Sequence, residues 1–372
     1  MANLFMDGFE IDFADNAAGL WTAFEETSSL GGDLYYLSAK KRTGSGAIRF
    51  HSTSVSQFRD LSLTLPSTYT ELYGGFGFLW DSTTALVESN GSNSCPLLTL
   101  VSSAGVVQIS LGINVTTNTL TLFRGGVTFD VLLGSGSTGI SSDTWHYVEW
   151  HIVISDTVGV VDLRLNGGAE LSLTAQDTNA TGGGGDIKTI KFGQPYTGLS
   201  GAPGVVANFY YDDFIVNDTT GTVSNSWPDG AGVEMLVPNA DGNYTAWTST
   251  GGAVDYTEID DVTTYGNLPD DDTTTILSGT LNQRTSVALS NTVQVGQVEA
   301  VMLCTYAKNS AAGADEMAQG VRISTTDYDS ATFIPATSYG WQKNILTLSP
   351  ATSARWTTAE IDAMEMGWRR AT

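Results

Sequence analysis

Hydrophobic and polar positions alternate most regularly between Trp145 and Asn166. His146, Val148, Trp150, Ile152 and Ile154 point one way, while Trp145, Tyr147, Glu149, His151 and Val153 point the other, because successive strand side chains face opposite sides. After a break containing Gly159 the alternation resumes, with Val161, Leu163 and Leu165 opposite Asp162, Arg164 and Asn166. Asn166-Gly167-Gly168 supplies the residues that tolerate a positive φ, so a tight turn leads into a third strand at Glu170–Thr174. A period of two with many β-branched and aromatic residues excludes a helix here. Two consecutive hairpins sharing one apolar face predict half of a β-sandwich.

Comparable runs occur along the first three-fifths of the chain. They lie at Leu4–Phe13, Ala47–His51, Asp60–Leu65, Gly75–Trp80, Leu97–Val101, Val106–Leu111, Thr119–Arg124, Thr128–Leu132, Ile187–Phe192 and Phe209–Val216. Each is short and bounded by Gly, Ser, Asn or Pro, the spacing of a sandwich or jelly roll. Residues 1–218 are therefore expected to form one domain, and the Gly-, Ser- and Thr-rich stretch 219–232 a linker. Residues 233–372 are expected to form a smaller β domain, with strands at Val233–Pro238, Val298–Ala307, Met317–Thr325 and Lys343–Leu348. The region 250–285 reads as extended and polar. A short helix follows, capped by Thr357 and Glu360, stapled by Trp356 and Ile361, and stopped by Gly367.

An opening Met6-Asp7-Gly8-Phe9-Glu10, a central Trp145-His146-Tyr147-Val148-Glu149 and a closing Tyr211-Asp212-Asp213-Phe214-Ile215-Val216 together resemble the concanavalin-A-like, laminin-G-type jelly roll. The resemblance implies an all-β fold whose terminal strand pairs beside its first. The order of motifs in the second half is similar to that of uncharacterised virion proteins of tailed bacteriophages. These motifs are Val-Glu-Met-Leu-Val-Pro, the Asp241-Gly242 turn, Trp247-Thr248, Leu268-Pro269-Asp270-Asp271-Asp272 and Trp356–Asp362. That similarity implies a surface component of the particle, either a capsid decoration or head fibre or a tail or baseplate protein. Its expected partners are other virion proteins and further copies of itself.

Charge narrows the partners. With 16 basic and 40 acidic residues among 372, the net charge is −24, which disfavours nucleic acid. Only 15 % of residues are charged but 41 % are hydrophobic, so a folded, turn-rich chain is expected rather than a disordered acidic one. Cys95 and Cys304 alone make no disulfide framework. The first residues lack the basic and apolar regions of a secretory signal, and no apolar run approaches the ~20 residues needed to cross a bilayer.

Candidate chemistry is sparse. Glu360-Ile361-Asp362-Ala363-Met364-Glu365 matches the Glu-x-Asp-x-x-Glu of concanavalin-A-like glycosidases, but on a helix residues two apart diverge by ~200° and share no groove. Glu10-Ile11-Asp12 has Asp15 in place of the third acid, and Glu258-Ile259-Asp260 lies in the irregular region. Glu149 and His151, with Asp162 across the hairpin, could hold a metal or act as a base; a hydrogen-bonded pair on a sheet surface is the plainer reading. His146, with the apolar set, reads as a satisfied core residue. The acids at Asp229, Asp241 and Asp270–Asp272 lack the spacing of a calcium loop. No nucleophile elbow, phosphate loop or Cys-x-x-Cys pair is present, so no catalytic residue, metal or cofactor is assigned. Trp145 and Tyr147, beside Glu149 and His151, form a weak candidate site for a cell-surface carbohydrate; burial at a sheet rim or against another subunit competes with it. The expectation is a non-catalytic virion protein, with a secreted carbohydrate-binding module or a glycosidase as the alternative.

Overall fold

The structure is a computed structural model. It describes residues 3–11, 20–26, 34–37, 39–52, 59–83, 86–88, 93–126, 131–194, 205–252, 254–263, 269–311, 313 and 315–372. The chain divides into two units, residues 1–9 with 21–233, and residues 10–20 with 234–372. Among the described residues the fold is all-β apart from short 3-10 turns and a single short helix.

The first unit is a sandwich of two antiparallel sheets. One has the order Gly168–Gln176, Gly159–Leu165, His146–Val153, Glu71–Trp80, Val205–Asn217, Ala47–Ser52 and Leu34–Leu37. The other runs Val131–Ser135, Leu120–Arg124, Val107–Asn114, Ser94–Val101, Ile187–Gln194, Arg59–Tyr69 and Ala23–Glu26. Asn3–Asp7 pairs antiparallel with Val205–Asn217, with Phe5 opposite Val216 and Asp7 opposite Phe214, so the first and last strands of the unit meet. This is the jelly-roll outline implied by the resemblance.

The opening and closing motifs have a physical role in this closure. Asp7 is buried; its Oδ1 accepts the Phe9 N–H at 2.8 Å and its Oδ2 the Trp21 indole N–H at 2.7 Å. Phe9 takes a φ of 54°, and Gly8 lies where a Cβ would come 2.8 Å from the Val233 carbonyl oxygen. Phe9, Trp21, Phe192 and Phe214 then stack or tilt on one another at ring separations of 4.5–6.0 Å. Buried rings in offset or edge contacts add to the area they remove from water. Thr128–Phe129 and Asp130 of the expected Thr128–Leu132 run, and Asp12 and Phe13 of the first run, lie outside the described residues.

The stretch 219–232, read from composition as a linker, is laid along the first sheet instead. Its Ser226 carbonyl accepts from Asn217 Nδ2 at 2.9 Å, and the Asp229 N–H donates to Glu149 Oε1 at 2.7 Å. Its glycines and serines serve close hydrogen bonding to the sheet, which composition cannot distinguish from flexibility.

The second unit holds a five-stranded sheet in the order Pro238–Thr245, Arg284–Leu289, Glu365–Arg370, Met317–Ile323 and Thr326–Asp329. A two-stranded ribbon, Val301–Ala307 with Gly340–Leu346, completes it around Val287, Leu303, Val321, Trp356, Ile361 and Trp368. The expected Val233–Pro238 strand is displaced: pairing begins at Pro238, opposite Leu289. The region 250–285 contains the 3-10 turns Asp255–Glu258 and Asp261–Thr263. The helix spans Thr358–Ala363 with the capping box in place, but it ends before Gly367. Gly367 is instead mid-strand, opposite Gly320 and Ser286, where a Cβ would sit 3.0 Å from the Thr285 carbonyl oxygen. Met366 and Trp368 alternate inward from the same strand. No helix among the described residues is long and apolar enough to cross a membrane.

Candidate functional site

The His146–Val153 strand organises the candidate site from its two faces. On one, Val148, Trp150 and Ile152 are buried in the sandwich. On the other stand Tyr147, Glu149 and His151, also buried, and Trp145 just before the strand is half-exposed. The neighbouring Glu71–Trp80 strand is glycine-rich because both faces need room. A Cβ on Gly74 would lie 2.2 Å from the Trp150 ring, one on Gly75 2.8 Å from the Tyr147 ring, and one on Gly77 2.9 Å from Arg42 Cδ.

What buries Tyr147 and Glu149 is the chain itself. Arg42 lies over the Tyr147 ring at 4.4 Å. Its guanidinium pairs with Asp213 and donates to the carbonyls of Gly230 and Ala231 at 2.7 and 3.2 Å. The Arg42 and Thr43 N–H groups donate to Asp212 Oδ2 at 2.7 and 3.1 Å, and the Val233 N–H donates to Asp213 Oδ1. A bulge between Asp212 and Ile215, with Asp213 at φ 53°, turns both carboxylates onto this face. The Asp212-Asp213 pair is thus a clamp that fixes the 42–43 and 230–233 segments to the sheet.

The electrostatics follow from burial. Asp212 is pushed up to about 9 by burial and by the Asp213 charge, against three backbone N–H donors. Burial also raises Asp213, opposed by Arg42. Glu149 is raised by burial, with Asp229 N–H and Arg164 pulling the other way. His146 is lowered by burial; its ring contacts Ser141 Oγ and Asn166 Nδ2, each at 3.1 Å.

The four candidate residues are separated into different tasks. Glu149 Oε1 accepts the Asp229 N–H, while its Oε2 is buried with no hydrogen-bond partner among the described residues. His151 is held by Asp162 at Nδ1 (3.0 Å) and by Glu71 at Nε2 (2.9 Å), and it stacks on Tyr73 with ring centroids 4.0 Å apart. Its two nitrogens therefore face different acids, and Glu149 does not join them. Among the described residues no three His, Cys, Asp or Glu side chains are grouped to hold a metal. Tyr147 is packed against Arg42. Trp145 remains accessible.

Trp145 forms part of a cleft of about 330 Å³ on the outer edge of this face. Tyr147, Asn166, Gly167, Arg42, Asp229 and Gly230 also line it. Arg164 completes the lining: its guanidinium carbon lies 3.9 Å from the centre of the Trp227 ring and its Nη1 donates to Asp229 Oδ1 at 3.0 Å. Arg164, Trp227 and Asp229 carry no motif, so the sequence signal for them was limited to the register that sets Arg164 opposite Glu149.

The glycosidase-like triplets do not assemble. Glu360 caps its own helix through Thr357, Asp362 accepts from the Thr292 N–H at 2.9 Å, and Glu365 accepts from Ser286 Oγ at 2.6 Å on the following strand. Glu10 is buried and accepts from the Met235 N–H; Asp12 and Asp15 lie outside the described residues. Glu258 is buried and accepts from the Gly251 N–H at 3.0 Å.

No protein-family model and no curated protein sequence matches the chain. Among solved structures it is similar to the cellulose-induced protein Cip1, at 15 % identity over 58 % of this chain and 97 % of that one, with a TM-score of 0.40. It is also similar to carbohydrate-binding module CBM66 from Bacillus subtilis, at 6 % identity over 53 % and 97 % of the two chains, TM-score 0.34. Alginate lyase Aly36B follows at 15 % identity over 56 % and 95 %, TM-score 0.31.

Proposed function

We propose that the protein is a non-catalytic recognition protein whose first unit holds a sugar ring in the Trp145 cleft. The observation that carries this reading is a half-exposed indole on the wall of a cleft of about 330 Å³, bordered by polar side chains on a rigid sheet. Small-ligand sites are concave, roughly 300–1,000 Å³, and combine an apolar surface with a few placed polar groups. The C–H face of a pyranose packs on an indole, and its hydroxyls reach the groups around the ring. Glycoside hydrolysis instead needs two carboxyl groups roughly 5–9.5 Å apart across an open groove. Among the described residues Asp229 is the carboxylate on the cleft lining, while Glu149, Asp212 and Asp213 beneath it are buried and accept backbone N–H groups, which suits anchoring.

Calorimetric titration of the full chain against a panel of oligosaccharides tests this. Trp145→Ala is expected to lose at least roughly tenfold in affinity with an unchanged melting temperature. Binding that survives the substitution, or no binding by the wild-type chain to any sugar at millimolar concentration, overturns the reading.

The resemblance to tailed-phage virion proteins supplies a second reading, of place: the cleft is displayed on a particle, beside other virion proteins and copies of the same chain. It rests on the motif order in the second half of the sequence. Immunolabelling of purified particles in the electron microscope tests it, and particles that carry no label end it.

A further inference from the structure

Three side-chain clusters stand apart from the buried core. The first is a stacked aromatic group on the ribbon of the second unit, Tyr306, Tyr339 and Trp341, whose hydroxyls and neighbouring Lys308 are spent on Asp271 and Asp272. The second is the Arg284–Asp329 network, which encloses only about 10 Å³ and has no room for a ligand larger than water. The third is the balance of hydrogen-bonding groups in the Trp145 cleft, and it carries furthest.

That balance is unequal. Arg42, though it lines the cleft, is consumed by Asp213, Gly230 and Ala231. Asn166 is consumed as well, accepting from the Tyr147 N–H at 2.8 Å and contacting His146. Among the described residues, Arg164 hydrogen-bonds through Nη1 alone, leaving Nε and Nη2 unspent. The Trp145 indole N–H is likewise not engaged by any hydrogen bond among them. Against these donors stands an exposed acceptor, the Asp229 carboxylate, whose side chain is 74 % exposed. A planar guanidinium presents its donors as a fork that matches two oxygens of one anionic group.

We infer that the cleft selects a sugar carrying an anionic group, which takes both oxygens to the unspent Nε and Nη2 of Arg164 beside Trp145 and replaces Asp229 as the principal counter-ion of the guanidinium. Asp229 is an internal stand-in for that group: it pairs with the guanidinium over Trp227 and balances its charge until the ligand arrives. Its own backbone N–H stays on Glu149, so the cleft wall keeps its place when the side chain swings away. With a net charge of −24, the chain gains the anion by direct contact and not by long-range attraction. The inference rests on the sugar-binding reading and names the class of sugar.

The test uses the full chain and matched pairs of oligosaccharides. Each uronate oligomer is compared with its methyl ester, and each 6-sulfated oligomer with its unsulfated parent. An advantage of roughly tenfold or more for the acid over the ester identifies a carboxylate, and the same advantage for the sulfated member identifies a sulfate; either supports the inference. Arg164→Gln is expected to bring the anionic member down to the affinity of its neutral partner. Asp229→Asn, which removes the competitor and leaves the fork, is expected to tighten the anionic member several-fold and leave the neutral one alone. Neutral sugars that bind with no anionic preference, or an unchanged preference in Arg164→Gln, overturn this inference while the sugar-binding reading stands. No binding to any member overturns both.

Discussion

The outer faces of the two main sheets use the same residue types to different ends. In the second unit Arg284 makes a bidentate pair with Asp329 at 2.7 Å on both nitrogens, Arg369 adds a third bond at 2.7 Å, and Arg322 pairs with Asp327 at 2.8 Å. Arg322 and Asp327 stand on neighbouring strands, whereas Arg284 reaches Asp329 across the two strands between them and Arg369 across one, and all these groups remain partly in water. In the first unit Arg42 pairs with Asp213 of the sheet and donates to the Gly230 and Ala231 carbonyls of a covering segment, residues 227–233, Arg164 meets Asp229 of that segment, and Asp212 and Asp213 are buried beneath it. A cross-strand ladder closes its own gaps. A segment resting on a sheet at a few polar points leaves room beside them, and that room is the Trp145 cleft.

The sharpest way to break the comparison is to remove one arginine from each face. Arg42→Ala leaves Asp212 and Asp213, both fully buried, without their cation, and breaking such a buried pair costs about 3–5 kcal/mol. A denaturant midpoint shifted by less than the Arg284→Ala value would show that the covering segment is not held by this cluster.

A pH series separates the faces next. Asp212 binds its proton in the folded state up to about pH 9, against an ordinary value of 3.8. Its contribution to stability is therefore full below about pH 4 and is lost as the pH rises toward 9. Asp329 behaves oppositely: burial raises it, but Arg284 and Arg369 outweigh that and hold it below 3.8, so its contribution is present above the ordinary carboxylate range and lost in acid. Melting temperatures of wild type and Asp212→Asn across this range are expected to converge at low pH, with the alkaline decline shallower in the variant. Equal slopes would remove Asp212 from the account.

The smallest effect expected is that of Arg284→Ala, roughly 0–1 kcal/mol, because the pair is partly exposed and Asp329 keeps Arg369. A loss as large as that of Arg42→Ala, read from the same denaturant curves, would put the two faces on an equal footing.

Period-two patterning was enough to place the sandwich. It located the Trp145–Thr174 hairpins, whose turn has Asn166 at φ 53° and Gly167 at 80°, and it identified the inward set Val148, Trp150 and Ile152. The Thr357–Glu360 capping box was equally legible, because both its hydrogen bonds lie within four residues. Glu365–Arg370 was missed because its two flanking strands, Arg284–Leu289 and Met317–Ile323, come from distant parts of the chain, and only their pairing makes Gly367 a strand residue.

The sequence by itself therefore determined the all-β architecture and the side of the central strand on which Trp145, Tyr147, Glu149 and His151 stand. Local periodicity and turn chemistry decide those, since both act between residues a few positions apart. Tertiary structure alone decided that Glu149 and His151 are occupied, that residues 219–232 cover the sheet, and that Arg164 and Asp229 come together beside Trp145. Those outcomes depend on groups 65 to 80 positions apart in the chain, Arg164 with Asp229, Glu149 with Asp229, and His151 with Glu71, and no local pattern encodes which distant backbone will arrive to satisfy a polar face.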